Sequence, residues 1–146
     1  IEHETQTEGS RQVNRQAEQL LNEEPAHIGF VGTVDENGMP RTVPVWYRWD
    51  GEHIHITALR TSVWVNNLAR DERACFCVAE NDSPYRATMI QGRVWLEPED
   101  RAEVQRIFTR YMSLSEADRY YAAIKDRHRT MVRLVPEQVT FRPSSR

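Results

Sequence analysis

The sequence predicts a mainly β fold, a small barrel of roughly six antiparallel strands with peripheral helices. Three observations predict it. Residues Arg41 to Trp49 alternate, so that Val43, Val45, Tyr47 and Trp49 share one face of a strand. Asp50-Gly51 and the run Glu52 to Ala58, which places Ile54, Ile56 and Ala58 together, then read as a turn and a return strand. Three further apolar or alternating runs, Ala74 to Val78, Ala87 to Leu96 and Thr130 to Phe141, are separated by turn residues or short helical stripes.

In chain order, Val13, Ala17, Leu20 and Leu21 recur at helical spacing until Pro25, giving a helix and tail over 1–25 ahead of a barrel domain over 26–146, within one domain overall. Ile28 to Val34 opens the sheet, and Asn37-Gly38 signals the hairpin into Arg41 to Trp49. Asp50-Gly51 has the composition of a type I′ turn, which needs positive φ at both positions. A helix over Val63 to Arg70 follows, with Trp64 and Leu68 four apart and Thr61 or Ser62 as its cap. Ala74 to Val78 is apolar on both faces, as a central strand would be, so Cys75 and Cys77 read as reduced core residues, poorly placed to bond each other. In the long strand Ala87 to Leu96, Gly92 removes a side chain where another backbone or a ring approaches. Pro98 suits a helix start before the stripe Val104, Ile107, Phe108, Tyr111 and Met112. Ser115 then caps a second helix holding Tyr120, Tyr121 and Ile124, and Pro136 in the last strand favours an edge or a bulge.

The 146 residues suffice for one core that buries about two-thirds of the unfolded chain's surface. Acidic and basic side chains are interleaved at a net charge of −3, which offers neither a basic face for nucleic acid nor a polybasic membrane anchor. No apolar run approaches the roughly twenty residues of a membrane span, and the polar opening lacks a secretion segment, so the expected location is cytoplasmic. No P-loop, GxGxxG turn or GxSxG elbow occurs.

Arg60, Thr61 and Ser62 sit at the expected helix start, where free backbone N–H groups and the helix dipole favour an anion; the same residues also suit a simple cap with a solvated charge. His53 and His55 share a strand face without an apparent third ligand, which reads as a polar outer face rather than a metal site. His128 reads as a solvated loop residue, with axial ligation of haem as the alternative.

The pieces GMPRTVPVWYRWDGEHIHIT, R-T-S, NLARDERACFCV, PYRATMIQGRVWL and VRLVPEQVTF, in that order, resemble the pyridoxamine 5′-phosphate oxidase-like family of FMN-binding split β-barrels. The likeness spans roughly Ala26 to Arg142 and is nearest to the flavin- and deazaflavin-dependent oxidoreductase branch. It implies FMN or the deazaflavin coenzyme F-420 as cofactor, with the ring over Val43, Pro44, Val45 and Trp46 and with Thr57 leading to the phosphate loop. Arg60 and Ser62 would hold the phosphate beside Thr61, with Trp46, Trp64 and Tyr85 walling the ring or substrate and Asn67 and Gln91 completing the set. The family often carries Lys two residues beyond this Ser, where this chain has Trp64. A lost charge-assisted hydrogen bond is worth about 1.5–3 kcal/mol unless another cation replaces it, for which Arg41, Arg48, Arg86 and Arg93 are the candidates. The resemblance also implies a homodimer with the cofactor between two barrels, Tyr85 and Arg86 reaching the neighbouring subunit's site.

Two function classes follow. One is an oxidoreductase in which a bound flavin or deazaflavin carries hydride to or from a small organic substrate and the protein orients it. The other is a binding protein on the same barrel for haem, a tetrapyrrole or another apolar ligand, toward which the missing Lys leans.

Overall fold

Trp46 divides the alternating run Arg41 to Trp49 into two strands, and this division shapes the barrel. The computed structural model describes residues 5–7 and 13–144. Its strands are β1 (Thr5–Thr7), β2 (Gly29–Val34), β3 (Pro40–Val45), β4 (Tyr47–Trp49), β5 (Ile54–Leu59), β6 (Arg73–Ala79), β7 (Ala87–Pro98) and β8 (Arg129–Arg142). Among the described residues four helices accompany them: α1 (Arg15–Leu21), α2 (Val63–Arg70), α3 (Arg101–Phe108) and α4 (Leu114–Ile124). The strand order is β3-β2-β6-β7-β8-β5-β4, antiparallel throughout, with β1 pairing β8 off this path. The strands β3 and β4 lie at opposite ends of the path, yet Trp46 alone separates them. One residue spans only about 3.3 Å of strand, so the sheet must curl until its two ends meet. The result is a split β-barrel with its seam at Trp46.

The inward face keeps the expected pattern across that seam. Val43 and Val45 pack against the core, and Tyr47 and Trp49 lie in it with Val31, Ile54, Ile56, Phe76, Val78, Ile90, Leu134 and Val139. Ala17, Leu20 and Leu21 bring the apolar face of the amphipathic α1 into the same core, and Arg15, Gln16 and Gln19 stay exposed. The other part of the expected 1–25 segment, residues 1–4 and 8–12, lies outside the described residues. A second apolar cluster joins Val104, Ile107 and Phe108 of α3 to Ala117, Tyr121 and Ile124 of α4 and to Met131.

At the seam the polar backbone is satisfied by side chains from the turn after α3. Tyr111 Oη accepts from the Tyr47 N–H (3.3 Å) and donates to the His27 carbonyl (2.8 Å). Arg110 donates to the carbonyls of Tyr47 and Leu21, and Tyr47 Oη donates to the latter as well (2.6 Å). Burial first, only partly offset by Arg110, pushes the Tyr47 phenol far above its ordinary pKa. Tyr111 therefore closes the seam from beyond the end of α3 instead of extending a helical stripe.

Several expectations need correction. Only Gly51 of the Asp50-Gly51 pair has positive φ (100°), so the turn is not type I′. Asp50 Oδ1 instead accepts from the Glu52 and His53 N–H groups (both 2.7 Å), and four residues separate β4 from β5. Pro98 ends β7 rather than starting a helix, because Asp100 caps α3 through the Ala102 and Glu103 N–H groups. Ser113, not Ser115, caps α4, in a capping box with Glu116 that satisfies two backbone N–H groups at once. Cys75 is exposed and Cys77 half-buried, since Phe76 and Val78 take the inward face of β6 and its outer face stays open. His55 is buried instead of facing solvent. It pairs with Asp50 Oδ2 (2.6 Å), and α3 packs against its strand. Pro136 sits in a central strand opposite Gly92, where a register shift after Gln91 makes the expected bulge. At Gly92 the neighbouring backbone does approach: a Cβ there would stand 2.0 Å from the Val135 carbonyl oxygen.

Candidate functional site

The seam also makes a cavity with mostly apolar walls. Where the chain leaves β3 at Val45 and crosses to β4, the end of β5 and the start of α2 face it across an open volume of about 360 Å³. This falls in the size range of small-molecule sites. Ile28, Pro44, Val45, Trp46, Ala58, Leu59, Trp64, Phe108 and Tyr120 give it apolar and aromatic walls, while Thr57 and Arg129 supply the polar groups. Trp46 is fixed by stacking on Tyr111 (centroids 5.1 Å, planes 15° apart) and by an edge contact with Phe108 (5.7 Å). Its indole is thus a braced wall and not a mobile flap.

Of the twelve residues expected at a cofactor site, the fold brings Pro44, Val45, Trp46, Thr57 and Trp64 to this cavity. Val43 shares the core-packed strand face of Val45, two residues back along β3, and does not line the cavity. Arg60 lines an adjoining depression with Val65, Asn66, Ala69, Leu96 to Pro98, Arg129 and Thr130. Thr61 is exposed, and Ser62 occupies the N-cap position of α2 without a side-chain capping bond. Asn67 is buried and donates to Thr33 Oγ1 (3.1 Å) and Asp35 Oδ1 (2.7 Å), clasping α2 to the β2–β3 hairpin. Tyr85 stands on an exposed loop at φ 65°, and Gln91 lies on the outer sheet face opposite Cys75.

The four arginines considered as replacements for a cation at position 64 all hold carboxylates. Arg41 pairs with Asp35, and Arg93 with Glu72 and Glu137. Arg48 makes two bonds to the buried Glu103 (2.6 and 2.8 Å). Arg86 ties Glu80 and Glu23 together; its hydrogen bond is the main cause that holds Glu80 down at about 2.

Sequence reasoning missed Arg129. At the start of β8 its side chain is only 9% exposed, and it lies on the walls of both the cavity and the adjoining depression. Nη2 donates to Thr57 Oγ1 (2.8 Å). Nε stands 3.7 Å from Glu99 Oε2, and neither of these two buried atoms has a hydrogen-bond partner. Burial lowers the pKa of this guanidinium, an arginine's charge being retained nonetheless at neutral pH. The signal available was small: a basic residue heading a strand that pairs, Leu59 to Arg129, with the strand leading to the expected phosphate loop.

Among the described residues no group of three or more His, Cys, Asp or Glu side chains could hold a metal ion, and His53 contacts the Trp95 ring instead (5.9 Å). His128 is exposed, and among the described residues no histidine lines the cavity. Among the described residues no helix is long and apolar enough to cross a membrane.

The sequence profile of the pyridoxamine 5′-phosphate oxidase family matches residues 13–143. The fold is similar to a solved F420 reductase, 24% identical, with a TM-score of 0.66 over 83% of this chain and 94% of that one. A conserved hypothetical protein from Mycobacterium tuberculosis superposes with a TM-score of 0.73 at 22% identity, covering 92% and 88% of the two chains. A protein related to general stress protein 26, of the pyridoxinephosphate oxidase family of Clostridium acetobutylicum, gives 0.63 at 20%, covering 86% and 84%. No curated protein matches. The chain belongs to the pyridoxamine 5′-phosphate oxidase family, and its fold is the split barrel of that family.

Proposed function

We propose that this family member is an oxidoreductase that binds a phosphate-bearing flavin or deazaflavin, FMN or coenzyme F-420, in the seam cavity and acts on a small organic substrate. The observation that carries the reading is the chemistry of the cavity: apolar walls from Val45, Trp46 and Trp64 are joined by a buried guanidinium. A planar heterocycle with an acidic tail satisfies both. When bound, such a group supplies hydride transfer. The chain's own residues then bind and orient it: Pro44, Val45, Trp46 and Trp64 line the cavity, and Thr57 offers a hydroxyl beside Arg129.

A second copy of the chain completes the site in this reading. Ile28 and Phe30 are exposed, and by register Phe30, Cys77, Met89 and Thr140 form one row across the outer face of β2, β6, β7 and β8. Ile28 is also on the cavity wall, so a partner covering that row would reach the cavity mouth. An exposed Cys75 thiol suits the reducing cytoplasm, the proposed location.

Fluorescence titration with FMN and with coenzyme F-420, beside an absorbance titration with haem, tests the function. Saturable binding of a flavin-type ligand, with a dimer in sedimentation at micromolar concentration, is the expected result. Haem binding with both flavin-type ligands excluded would replace the enzyme by a binding protein.

A further inference from the structure

We infer that Arg129 is the cation that holds the acidic group of the bound ligand, in place of a cation on α2, and that Glu99 positions it. The inference rests on the cavity being a phosphorylated-cofactor site and adds the residue that selects for the phosphate. At position 64 an indole occupies the cavity wall, so α2 offers apolar area where a cation would otherwise stand. Arg41, Arg48, Arg86 and Arg93 are committed to carboxylates. Among the described residues Arg129 is the one arginine on the cavity wall.

Its surroundings explain how a buried guanidinium is kept there. Thr57 takes one Nη2 hydrogen, and Glu99 balances the charge from 3.7 Å without making the hydrogen bond. Two adjacent buried polar atoms left unpaired cost free energy that a well-paired structural bridge would not. The arrangement fits a side chain held in reserve: the Nε edge faces Glu99, the Nη2 corner is tied to Thr57, and the side chain reaches the cavity wall. An anion in the cavity would give the guanidinium a hydrogen-bond acceptor besides Thr57 and draw it into a defined position. Arg60 stands in the adjoining depression, which Arg129 also lines, so Arg60 meets only a tail long enough to pass Arg129.

The test compares each ligand with its phosphate-free counterpart: FMN with riboflavin, and coenzyme F-420 with its phosphate-free deazaflavin core. The original protein should prefer the phosphorylated member by about ten- to a hundredfold, the worth of one charged hydrogen bond. In Arg129→Met that preference should vanish while affinity for the phosphate-free ligand holds. Because Arg129→Met strands the Glu99 carboxylate, the double variant Arg129→Met/Glu99→Gln is measured beside it, with thermal melting to verify folding. Glu99→Gln alone should keep the preference but weaken it, since the guanidinium loses its positioning partner. A preference retained in folded Arg129 variants, or lost in Arg60→Met instead, overturns the assignment to Arg129 while leaving the cofactor reading intact. Failure of the original protein to bind any of the four ligands overturns both.

Discussion

Replacing Gly92 with Ala should be among the most damaging single-methyl changes in this protein. The added Cβ would lie 2.0 Å from the Val135 carbonyl oxygen, 3.0 Å from its carbon and 3.3 Å from Pro136 Cα. Carbon and oxygen normally approach no closer than about 3.3 Å, so the strands must part by about 1.3 Å. All three obstructing atoms are backbone, and no side-chain rotation relieves the contact. Ladder hydrogen bonds near 2.9 Å do not survive such a shift, and the two nearest would break. Each lost bond costs about 1 kcal/mol, and each buried group left unpaired adds about 1 kcal/mol or more, for a total of about 3–5 kcal/mol. For a chain of this size that lowers Tm by about 10–20 °C. Urea and thermal unfolding followed by circular dichroism measure it. Gly51→Ala is the control: nothing stands within 4 Å of its Cβ, and only the backbone strain of φ 100° opposes it, about 1–2 kcal/mol. A Gly92→Ala loss no larger than that of Gly51→Ala would refute the argument that the β7–β8 approach demands glycine.

Three other outcomes are expected. Glu80, held at about 2 by the Arg86 hydrogen bond against an ordinary 4.5, contributes stability above about pH 4.5 that is lost as pH falls toward about 2. For Asp50, burial raises the pKa, but hydrogen bonds from His55, His53 and Glu52 outweigh it and hold the carboxyl at about 2, adding to the same acid limb. Unfolding midpoints across this range should fall steeply, and less steeply in Arg86→Met; equal slopes would remove Arg86 as the cause. Trp46→Ala should cost about 2–4 kcal/mol, somewhat less than full burial of an indole would imply, and should weaken flavin-type ligands more than phosphate. Ser113→Ala, which breaks the α4 capping box, should cost about 1 kcal/mol in the same unfolding measurement without altering ligand affinity.

The strands were legible because alternation records the inward face directly: Val43, Val45, Tyr47 and Trp49 keep one side even though the backbone breaks between them. The break itself was not legible. It depends on Arg110 and Tyr111, some 64 residues further on, supplying hydrogen bonds to the backbone at Tyr47, and no local pattern encodes a partner that distant. Helix starts failed by two or three residues where two plausible signals competed. Pro98 lost to the Asp100 carboxylate and Ser115 to the Ser113–Glu116 box, in each case because a side chain that satisfies N–H groups outweighs one that merely tolerates the position. At the cavity, the residues on the strand around the seam could be read from the resemblance, whereas Arg129 lies at the far end of the chain and enters only through its pairing with Leu59. Cys75 misled because an apolar residue type says nothing about which face of a sheet is covered.

The place where an acidic planar ligand binds is the most direct test of the seam cavity's role. A crystal structure of the protein grown with FMN, or with coenzyme F-420, is the decisive measurement. The ring is expected against Val45, Trp46 and Trp64, with a phosphate oxygen about 3 Å from the Arg129 guanidinium. A ring bound away from the seam, or a phosphate resting on Arg60 with Arg129 still turned to Glu99, would contradict it.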